Sequence, residues 1–284
     1  VGSEMCIRDR DTEGRRMNKT LNGSLIIAPV VALVLASCSR TETVHWGYGP
    51  DDGPERWGAM NAEWALCASG VEQSPIDFAN PLDIDLPGAE VQTPSDQEVQ
   101  VLNQMGVIDA LDNGHTIQIN SRTGETLTVG ADSYALVQFH FHAPSEHTVD
   151  GEHFPMELHF VHQAEDGALA VVGVLIQEGT ENPGFTPLWE QLPAPGSQAT
   201  IRIPAGFKDH IFPDARAAVY HYSGSLTTPP CSEGVQWFVI KTPTRASREQ
   251  INAFTEAYDH NNRPVQPLSD RNIYLDETPN VTVY

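Results

Sequence analysis

Histidine is concentrated in one short stretch, and this concentration constrains the fold more than any other feature of the sequence. Six of the eleven histidines fall within residues 138–162, QFHFHAPSEHTVDGEHFPMELHFVH. In an extended strand, side chains two positions apart point to the same face. His140 and His142 are therefore predicted to share one face of a strand, while Phe139 and Phe141 point to the other.

A second segment, MELHFVH, alternates in the same way and places Glu157 and His159 on one face. Gly and Pro residues between the two segments predict a turn, so the two strands can pair as antiparallel neighbours. His159 would then meet His140 and His142, and three imidazoles would surround one point with a fourth position open. This is the ligand set of a catalytic zinc site, although imidazoles without a thiolate also suit copper, iron or nickel. A lone buried histidine is commonly a hydrogen-bonded core residue, but HxH combined with ExH favours a metal.

The first 38 residues are predicted to precede the folded domain. Residues 1–16 are interpreted as a non-native start before an internal methionine. Residues 17–38 have a basic start, an apolar run and the ending LASC, which is the pattern of a lipoprotein signal peptide. The run is shorter than the roughly 20 residues of a transmembrane helix. Cys38 is the predicted lipidation site, and a plain membrane anchor or a cleaved signal with an incidental cysteine stay open as alternatives.

This pattern predicts an exported, periplasmic protein that is anchored by lipid. Ser39 follows Cys38 in place of the aspartate that retains lipoproteins in the inner membrane of many Gram-negative bacteria, which favours the outer membrane in such a host. In an oxidising compartment, the remaining pair of Cys67 and Cys231 is predicted to form a disulfide. Two buried free thiols are the alternative.

Residues 39–284 are predicted to form a single domain, because they suffice for one large core and no Gly/Ser-rich or Pro-rich linker divides them. Setting aside residues 1–38 leaves 11 basic residues (16 minus 5) and 34 acidic residues (38 minus 4), a net charge of −23. A surface this acidic repels phosphate groups, so we expect no binding to nucleic acid. Contact with a membrane is expected only through the N-terminal lipid anchor.

Strands dominate the remaining pattern. Short alternating or apolar segments predict strands at residues 99–106, 115–120, 125–130, 168–179 and 235–243. Helices are predicted near residues 183–191 and at residues 247–259, where Ser247 can cap an amphipathic helix. Residues 202–213 are interpreted as loop and edge strand, and residues 45–78 as loops and short helical turns whose three tryptophans cover the domain. The pattern predicts a mainly β (α+β) fold with a few short peripheral helices.

Seven motifs together resemble the alpha-class carbonic anhydrases, and in particular the bacterial type. They are HWGYG at 45–49, EQSPI at 72–76, NGH at 113–115, QFHFH with SEH at 138–147, ELHFVH at 157–162, YSGSLTTPPC at 222–231 and NNRPVQPL at 261–268. The motifs follow the family's order over nearly all of the predicted domain. The resemblance implies one domain built on a large, twisted, mostly antiparallel β-sheet, with zinc at the base of a conical cavity.

The resemblance also implies roles for the histidine-rich strands. The family's Zn²⁺ ligands correspond to His140, His142 and His159, in agreement with the argument from strand faces. The side chains that orient the ligand imidazoles through hydrogen bonds correspond to Gln138 and Glu157.

Residues around the ligands are similar to the family's catalytic and substrate-binding groups. The pair that orients hydroxide on the zinc corresponds to Thr227 and Glu146. The pocket for carbon dioxide corresponds to Val161, Val171, Leu226 and Trp237, with Thr228 beside it. The proton shuttle corresponds to His115, and polar groups that order a chain of water molecules correspond to Tyr48 and Asn113.

The function implied by the resemblance is the zinc-dependent, reversible hydration of carbon dioxide to bicarbonate and a proton. Hydroxide on the zinc would attack carbon dioxide, water would displace bicarbonate, and His115 would pass the released proton to buffer. The expected partners are carbon dioxide, bicarbonate and water. The sequence leaves open whether the protein is a monomer or a homodimer.

Two other classes of protein stay open. A cupin-type metalloenzyme would use Glu146 as a ligand, but the Gly and Pro residues of a cupin's second motif are missing near His159. A non-catalytic binding module on the carbonic anhydrase fold is the second alternative. Such relatives usually lose a zinc histidine, and here all three are present.

Overall fold

The computed structural model describes residues 44–83, 89–92, 107–121, 125–129, 132–193, 196–202, 207–212, 218–258, 260–277 and 282–283. The predictions for residues 1–38, with lipidation at Cys38, and for a strand at 99–106 lie outside these residues. No helix within them has the length and apolar character needed to cross a membrane.

Strands make up most of the regular structure. They are β1 Asp77–Phe78, β2 Leu82–Asp83, β3 Ala89–Gln92, β4 Val107–Asp112, β5 Ile117–Asn120, β6 Thr126–Val129, β7 Asp132–His142, β8 Thr148–Val149, β9 Glu152–His153, β10 Met156–Gln163, β11 Leu169–Glu178, β12 Gln198–Arg202, β13 Val219–Ser225, β14 Glu233–Ala246, β15 Tyr274–Asp276 and β16 Thr282–Val283. The helices are α1 Trp57–Met60, α2 Leu66–Ser69, α3 Phe185–Trp189, α4 Phe207–Ile211 and α5 Arg248–Thr255, with a 3₁₀ turn at Ala62–Trp64.

One large sheet carries the architecture. Its main path runs in the order β12, β4, β5, β7, β10, β11, β14, β13, β15, β2, and β3, β6 and β16 extend it beside β7. Most neighbours are antiparallel, and the central pair of β11 and β14 is parallel. A separate small sheet joins β1, β8 and β9. The prediction of a mainly β fold with a large, mostly antiparallel sheet is confirmed.

The central strand β11 is buried on both faces, as its continuous apolar sequence predicts. Val172 and Val174 belong to the hydrophobic cluster on one face of the sheet. Val171 and Leu175 belong to the cluster on the opposite face. Two apolar layers therefore enclose the middle of the sheet, and polar groups placed there are cut off from water.

Residues 45–78, called the N-terminal segment below, cover one part of the domain. Trp57 is fully buried beside a disulfide between Cys67 and Cys231, and Trp46 and Trp64 pack against the same cluster. The predicted disulfide and the predicted tryptophan cover are both present.

The prediction of loop and edge strand over residues 202–213 is wrong in part. Strand β12 does form the edge of the sheet, but it ends at Arg202, and helix α4 follows at Phe207–Ile211. Phe207 and Ile211 are four positions apart and both are buried in the core. A single helical turn buries both side chains on one face, and a segment this short shows too little periodicity to reveal it.

Helix α5 begins where the sequence predicts. The Ser247 side chain accepts a hydrogen bond from the backbone of Gln250, whose side chain accepts one from the Ser247 backbone in return. This reciprocal capping box satisfies two backbone N–H groups. Ile251 and Phe254 bury the inner face of the helix.

We expect replacement of Ser247 by Ala to lower the free energy of unfolding by about 1 kcal/mol, because the cap at the start of α5 is lost. Urea denaturation measures the change. The control is Ser247→Asp, since aspartate also caps helices and should retain most of the stability. Equal losses in both variants would show that the cap is not the source of the effect.

Candidate metal centre

Three histidines converge where β7 pairs with β10. The strands are antiparallel, with His159 opposite His140 and Glu157 opposite His142. The ring centroids of the three histidines lie 4.7 to 5.3 Å apart. One ring nitrogen from each lies within 4.8 Å of the other two. The structure thus brings the three predicted ligands together around one point.

Each of these imidazoles uses its other nitrogen in a hydrogen bond that fixes the ring. The donor and acceptor pairs are His140 Nδ1 to Gln138 Oε1 at 2.8 Å, His142 Nδ1 to the Asn261 carbonyl at 2.7 Å, and His159 Nε2 to Glu157 Oε1 at 2.9 Å. Histidines that bind metals are held in this way, because the bond selects the tautomer and aims the remaining lone pair. The nitrogens left for a metal are Nε2 of His140, Nε2 of His142 and Nδ1 of His159.

Whether these residues fit a metal ion can be judged from Nε2 of His142. It is buried and makes no hydrogen bond within the part of the chain that the structure describes. A buried polar atom without a partner costs free energy, and a divalent cation would remove that cost. Three imidazole nitrogens without a thiolate or an obligatory oxygen ligand suit zinc. The site therefore fits a zinc ion held by these histidines.

Burial keeps the three imidazoles neutral. It lowers the pKa of His142 to about 4. It also lowers the pKa of His159, and it lowers the pKa of His140 well below its usual value, with added repulsion from the other two rings. A neutral imidazole offers the lone pair that a metal requires, so the donors are available at neutral pH.

Glu157 is the electrostatic centre of the surrounding network and is fully buried. Its Oε1 accepts hydrogen bonds from His159 and from Nδ1 of His147 at 2.7 Å, and its Oε2 accepts the backbone N–H groups of Glu146 and His147, each at 2.9 Å. Burial alone would raise the pKa of Glu157, but the two histidines and these bonds outweigh it and hold the pKa well below its usual range. The carboxylate is therefore ionised.

Gly173 makes room for this network. It lies opposite His159 in the neighbouring strand β11. A methyl group at Gly173 would lie 3.1 Å from Oε1 of Glu157 and 2.9 Å from a methyl carbon of Val239. Both neighbours belong to the packed sheet, so any side chain here would displace the carboxylate that orients His159.

Glu146 lies beside the metal centre and is also fully buried. Its Oε1 accepts the backbone N–H of Arg263 at 2.8 Å, and the Thr227 hydroxyl donates to its carboxylate. Burial raises the pKa of Glu146 to about 7, although the nearby imidazole of His159 and these two hydrogen bonds oppose the rise. A divalent cation nearby would lower this pKa and keep the carboxylate ionised.

The four residues predicted to form an apolar pocket lie in one hydrophobic cluster. Val171 and Trp237 are buried in it, and Val161 and Leu226 pack against it. The Trp237 ring lies 4.9 Å from the ring of His159. The apolar surface therefore adjoins the metal centre.

Thr228 directly follows Thr227, and its carbonyl accepts the N–H of Cys231 at 2.8 Å. The threonine turn is in this way tied to the half-cystine, and the disulfide joins it to Cys67 of helix α2.

His115 lies outside the ligand cluster, on the turn between β4 and β5. Its partly buried ring stacks on Trp46 at 3.8 Å, with 8° between the planes, and the ring of His45 lies 5.2 Å away. Burial lowers the pKa of His115, and His45 adds to this effect, while Asp52 and Asp112 oppose it. The imidazole thus has no part in the ligand set and can titrate in contact with solvent.

Tyr48 lies beside this turn, and Asn113 lies within it. The ring of Tyr48 lies 6.4 Å from His115, and burial followed by the charge of Glu146 raises its pKa well above the usual value. Tyr48 is therefore an uncharged hydroxyl in the field of Glu146. The Asn113 side chain is exposed, and its Oδ1 accepts the backbone N–H groups of His115 and Thr116.

Three functional contacts were not predicted from the sequence. The Asn261 carbonyl accepts a hydrogen bond from His142, the backbone N–H of Arg263 donates one to Glu146, and His147 donates one to Glu157. Asn261 and His142 are 119 positions apart. No local pattern signals these partners, although the NNRPVQPL motif marked the segment that contains the first two.

Comparison with known proteins gives consistent matches. A family model described as eukaryotic-type carbonic anhydrase matches residues 52–277. A carbonic anhydrase of Pectobacterium atrosepticum is 42% identical over 246 residues, which are 85% of this chain and 96% of the relative. A carbonic anhydrase of Nostoc sp. is 39% identical over 264 residues, 90% of this chain and 96% of the relative. The structure of the alpha-carbonic anhydrase from Thermovibrio ammonificans with the inhibitor sulfanilamide is 41% identical, with a TM-score of 0.73, and the match covers 82% of this chain and 100% of that one.

Replacing Gly173 by Ala should weaken zinc binding roughly 10- to 100-fold, the usual effect of disturbing a group that orients a metal ligand. Competition with a chromophoric chelator measures the affinity. The matched control is Gly179→Ala just beyond the same strand, because its methyl group would meet only the flexible side chain of Arg245. Unchanged zinc affinity in Gly173→Ala would contradict the argument.

Proposed function

Because the chain belongs to the alpha carbonic anhydrase family, we propose that it hydrates carbon dioxide reversibly at a zinc ion held by His140, His142 and His159. The family match confirms the resemblance to the carbonic anhydrases and supports carbonic anhydrase activity. The observation that carries the proposal is the convergence of three neutral imidazole nitrogens, each ring fixed by a hydrogen bond on its other side.

When bound, zinc supplies hydroxide at neutral pH by lowering the pKa of a water molecule from about 15.7 to about 7, a value established on carbonic anhydrase itself. The chain provides uncharged ligands, which leave the positive charge of the metal to act on the water. The negative charge of Glu157 is already engaged by four hydrogen bonds and reaches the metal only through His159.

Glu146 and Thr227 orient the attacking oxygen. The Thr227 hydroxyl has one proton and donates it to Glu146, so its oxygen can only accept a hydrogen bond from the nucleophile. The N–H of Arg263 holds Glu146 in place. Because each donor and acceptor in this set is fixed, a lone pair of the nucleophile points at the substrate. Such alignment of the reacting atoms lowers the activation barrier.

The apolar cluster around Trp237 receives carbon dioxide, which has no net dipole and therefore interacts only weakly with polar groups. Val171 and Trp237 are almost fully buried, and an apolar surface of this kind suits an apolar substrate. Val161 and Leu226 complete this surface beside His159.

His115 carries the released proton to buffer. A histidine suits this step because its pKa lies near the operating pH. Its ring is partly exposed and stacks on Trp46, so it can exchange protons with solvent while staying near the site. Tyr48 lies beside His115 and Asn113 lies in the same turn, and they are the polar groups that would order water leading to the imidazole.

Direct binding of the metal by Glu146, as in a cupin, is the main alternative. Oε2 of Glu146 lies 3.4 Å from Nε2 of His142 and 3.8 Å from Nδ1 of His159. The family match favours the role of an acceptor for Thr227 instead. The two roles differ in what happens to the metal when the carboxylate is removed.

We expect Glu146→Gln to retain zinc and to lower kcat/KM for carbon dioxide hydration by roughly 100-fold, because the nucleophile loses its orientation. His159→Ala should lose both zinc and activity. Zinc content by atomic absorption and stopped-flow hydration measure the two effects. His153→Ala, at an exposed histidine, is the control. Loss of zinc from Glu146→Gln would support the cupin role and overturn this assignment.

Replacement of His115 by Ala should lower kcat in weak buffer by at least about tenfold, within the contribution that a positioned acid or base can make. The ratio kcat/KM should change little, since the proton leaves after carbon dioxide has reacted. Added imidazole should restore kcat. If turnover is unchanged, or if imidazole does not restore it, His115 is not the shuttle.

A further inference from the structure

A buried carboxylate outside the metal centre supports the turn that carries His115. Asp112 ends strand β4 and is only 4% exposed. Its Oδ1 accepts the backbone N–H of Gly114 at 2.8 Å, and the Tyr258 hydroxyl donates to the same carboxylate. A buried carboxylate needs such partners, yet nothing in the proposed mechanism so far uses this one.

The backbone of the turn is held at several points. Gly114 has a φ of +82°, in the left-handed region that glycine adopts without strain. Oδ1 of Asn113 accepts the N–H of His115 at 2.9 Å, and Nδ2 of Asn261 donates to the His115 carbonyl at 3.0 Å. Asp112 adds the contact to Gly114. The main chain of His115 is therefore fixed, and its ring is placed by the stack on Trp46.

Tyr258 links Asp112 to the body of the protein. It lies just beyond helix α5, and its ring packs against Phe254 with centroids 5.2 Å apart. Burial and the hydrogen bond to Asp112 raise the pKa of Tyr258, so the hydroxyl stays protonated and donates. The position of the carboxylate is thus set by the residue that packs on buried Phe254 of helix α5, and not by the turn alone.

Charged and titratable groups face His115 from two sides. His45, Tyr48 and Asp52 belong to the N-terminal segment, and Asp112 belongs to the turn itself. The charge of Asp52 raises the pKa of His115 more than that of Asp112 does, but Asp52 is partly exposed, so salt screens its charge. Asp112 is buried, so its charge acts on the imidazole with less screening.

We propose that Asp112 is a positioning residue for proton transfer, whose carboxylate, held by Tyr258, fixes the His115 turn and favours the protonated form of the imidazole. This inference rests on the proposed role of His115 as the proton shuttle. Removal of the negative charge disfavours imidazolium, so the sign of the effect is a lower pKa for His115. A less basic imidazole accepts the proton less readily.

The test replaces Asp112 by Asn in the zinc-loaded enzyme, because asparagine keeps an acceptor for Gly114 and removes the charge. NMR titration of the His115 ring should show a pKa lower by about 0.5 to 1 unit. In weak buffer, kcat should fall about 3- to 10-fold, the equivalent of that shift. The ratio kcat/KM should stay unchanged, imidazole should restore kcat, and Asp112→Asn should cause no further loss in a His115→Ala background.

Asp166→Asn is the matched control, because exposed Asp166 forms the same type of turn, with Oδ1 accepting the N–H of Ala168 at 2.9 Å. It removes the same charge elsewhere and should leave the His115 pKa and kcat unchanged. Tyr258→Phe provides a second variant, since it keeps the charge of Asp112 but loses the hydrogen bond. It should lower kcat in weak buffer about twofold without lowering the pKa of His115.

Four results would overturn the inference. An unchanged His115 titration in Asp112→Asn, or a loss of kcat that imidazole does not restore, contradicts the role of Asp112 while the shuttle stands. A fall in the His115 pKa in Tyr258→Phe equal to that in Asp112→Asn contradicts the assignment of the effect to the charge. Unchanged turnover in His115→Ala overturns the shuttle, and this inference with it.

Discussion

The antiparallel pairing of β7 with β10 is the interaction on which the rest of the site depends. It sets His159 opposite His140, and a slip of one residue would turn His159 to the other face of the sheet. Such a slip is costly because Phe141 and Leu158 fill the core behind the histidines and are completely buried. The burial of apolar side chains on one face thus fixes the geometry of the metal ligands on the other. The register of β7 and β10 therefore determines both the packing of the core and the convergence of the three histidines.

A second constraint follows from placing ionised Glu157 inside this sheet. A buried carboxylate is tolerated only when hydrogen bonds compensate it, and here two histidines and two backbone N–H groups do so. One of those N–H groups belongs to Glu146, so the carboxylate that orients His159 also holds the segment that orients Thr227. His159 and the pair of Glu146 and Thr227 are therefore coupled, and substitutions in the two should not have additive effects.

The sequence was sufficient wherever the signal was local. Alternation in β7 and β10 predicts which histidines share a face, because the strand period of two is set by the backbone alone. The capping box of α5 is local for the same reason. The Asn261 carbonyl on His142 and the stack of His115 on Trp46 join parts of the chain that no periodicity relates. The helix at Phe207–Ile211 was missed because one turn gives too few positions to separate a helix from an edge strand.

The segment after α5 explains how these distant parts keep a common geometry. Tyr258 binds the carboxylate below the His115 turn, Asn261 binds both that turn and His142, and Arg263 binds Glu146. Tyr258, Asn261 and Arg263 therefore link the His115 turn, His142 and Glu146 to one segment. Because buried Ile251 and Phe254 anchor the middle and the end of helix α5, the segment begins from a fixed point. The proposed proton transfer needs an imidazole that solvent can reach and metal binding needs rigid ones, and one anchored segment can serve both because it holds the backbone of His115 while the ring, stacked on Trp46, stays partly exposed.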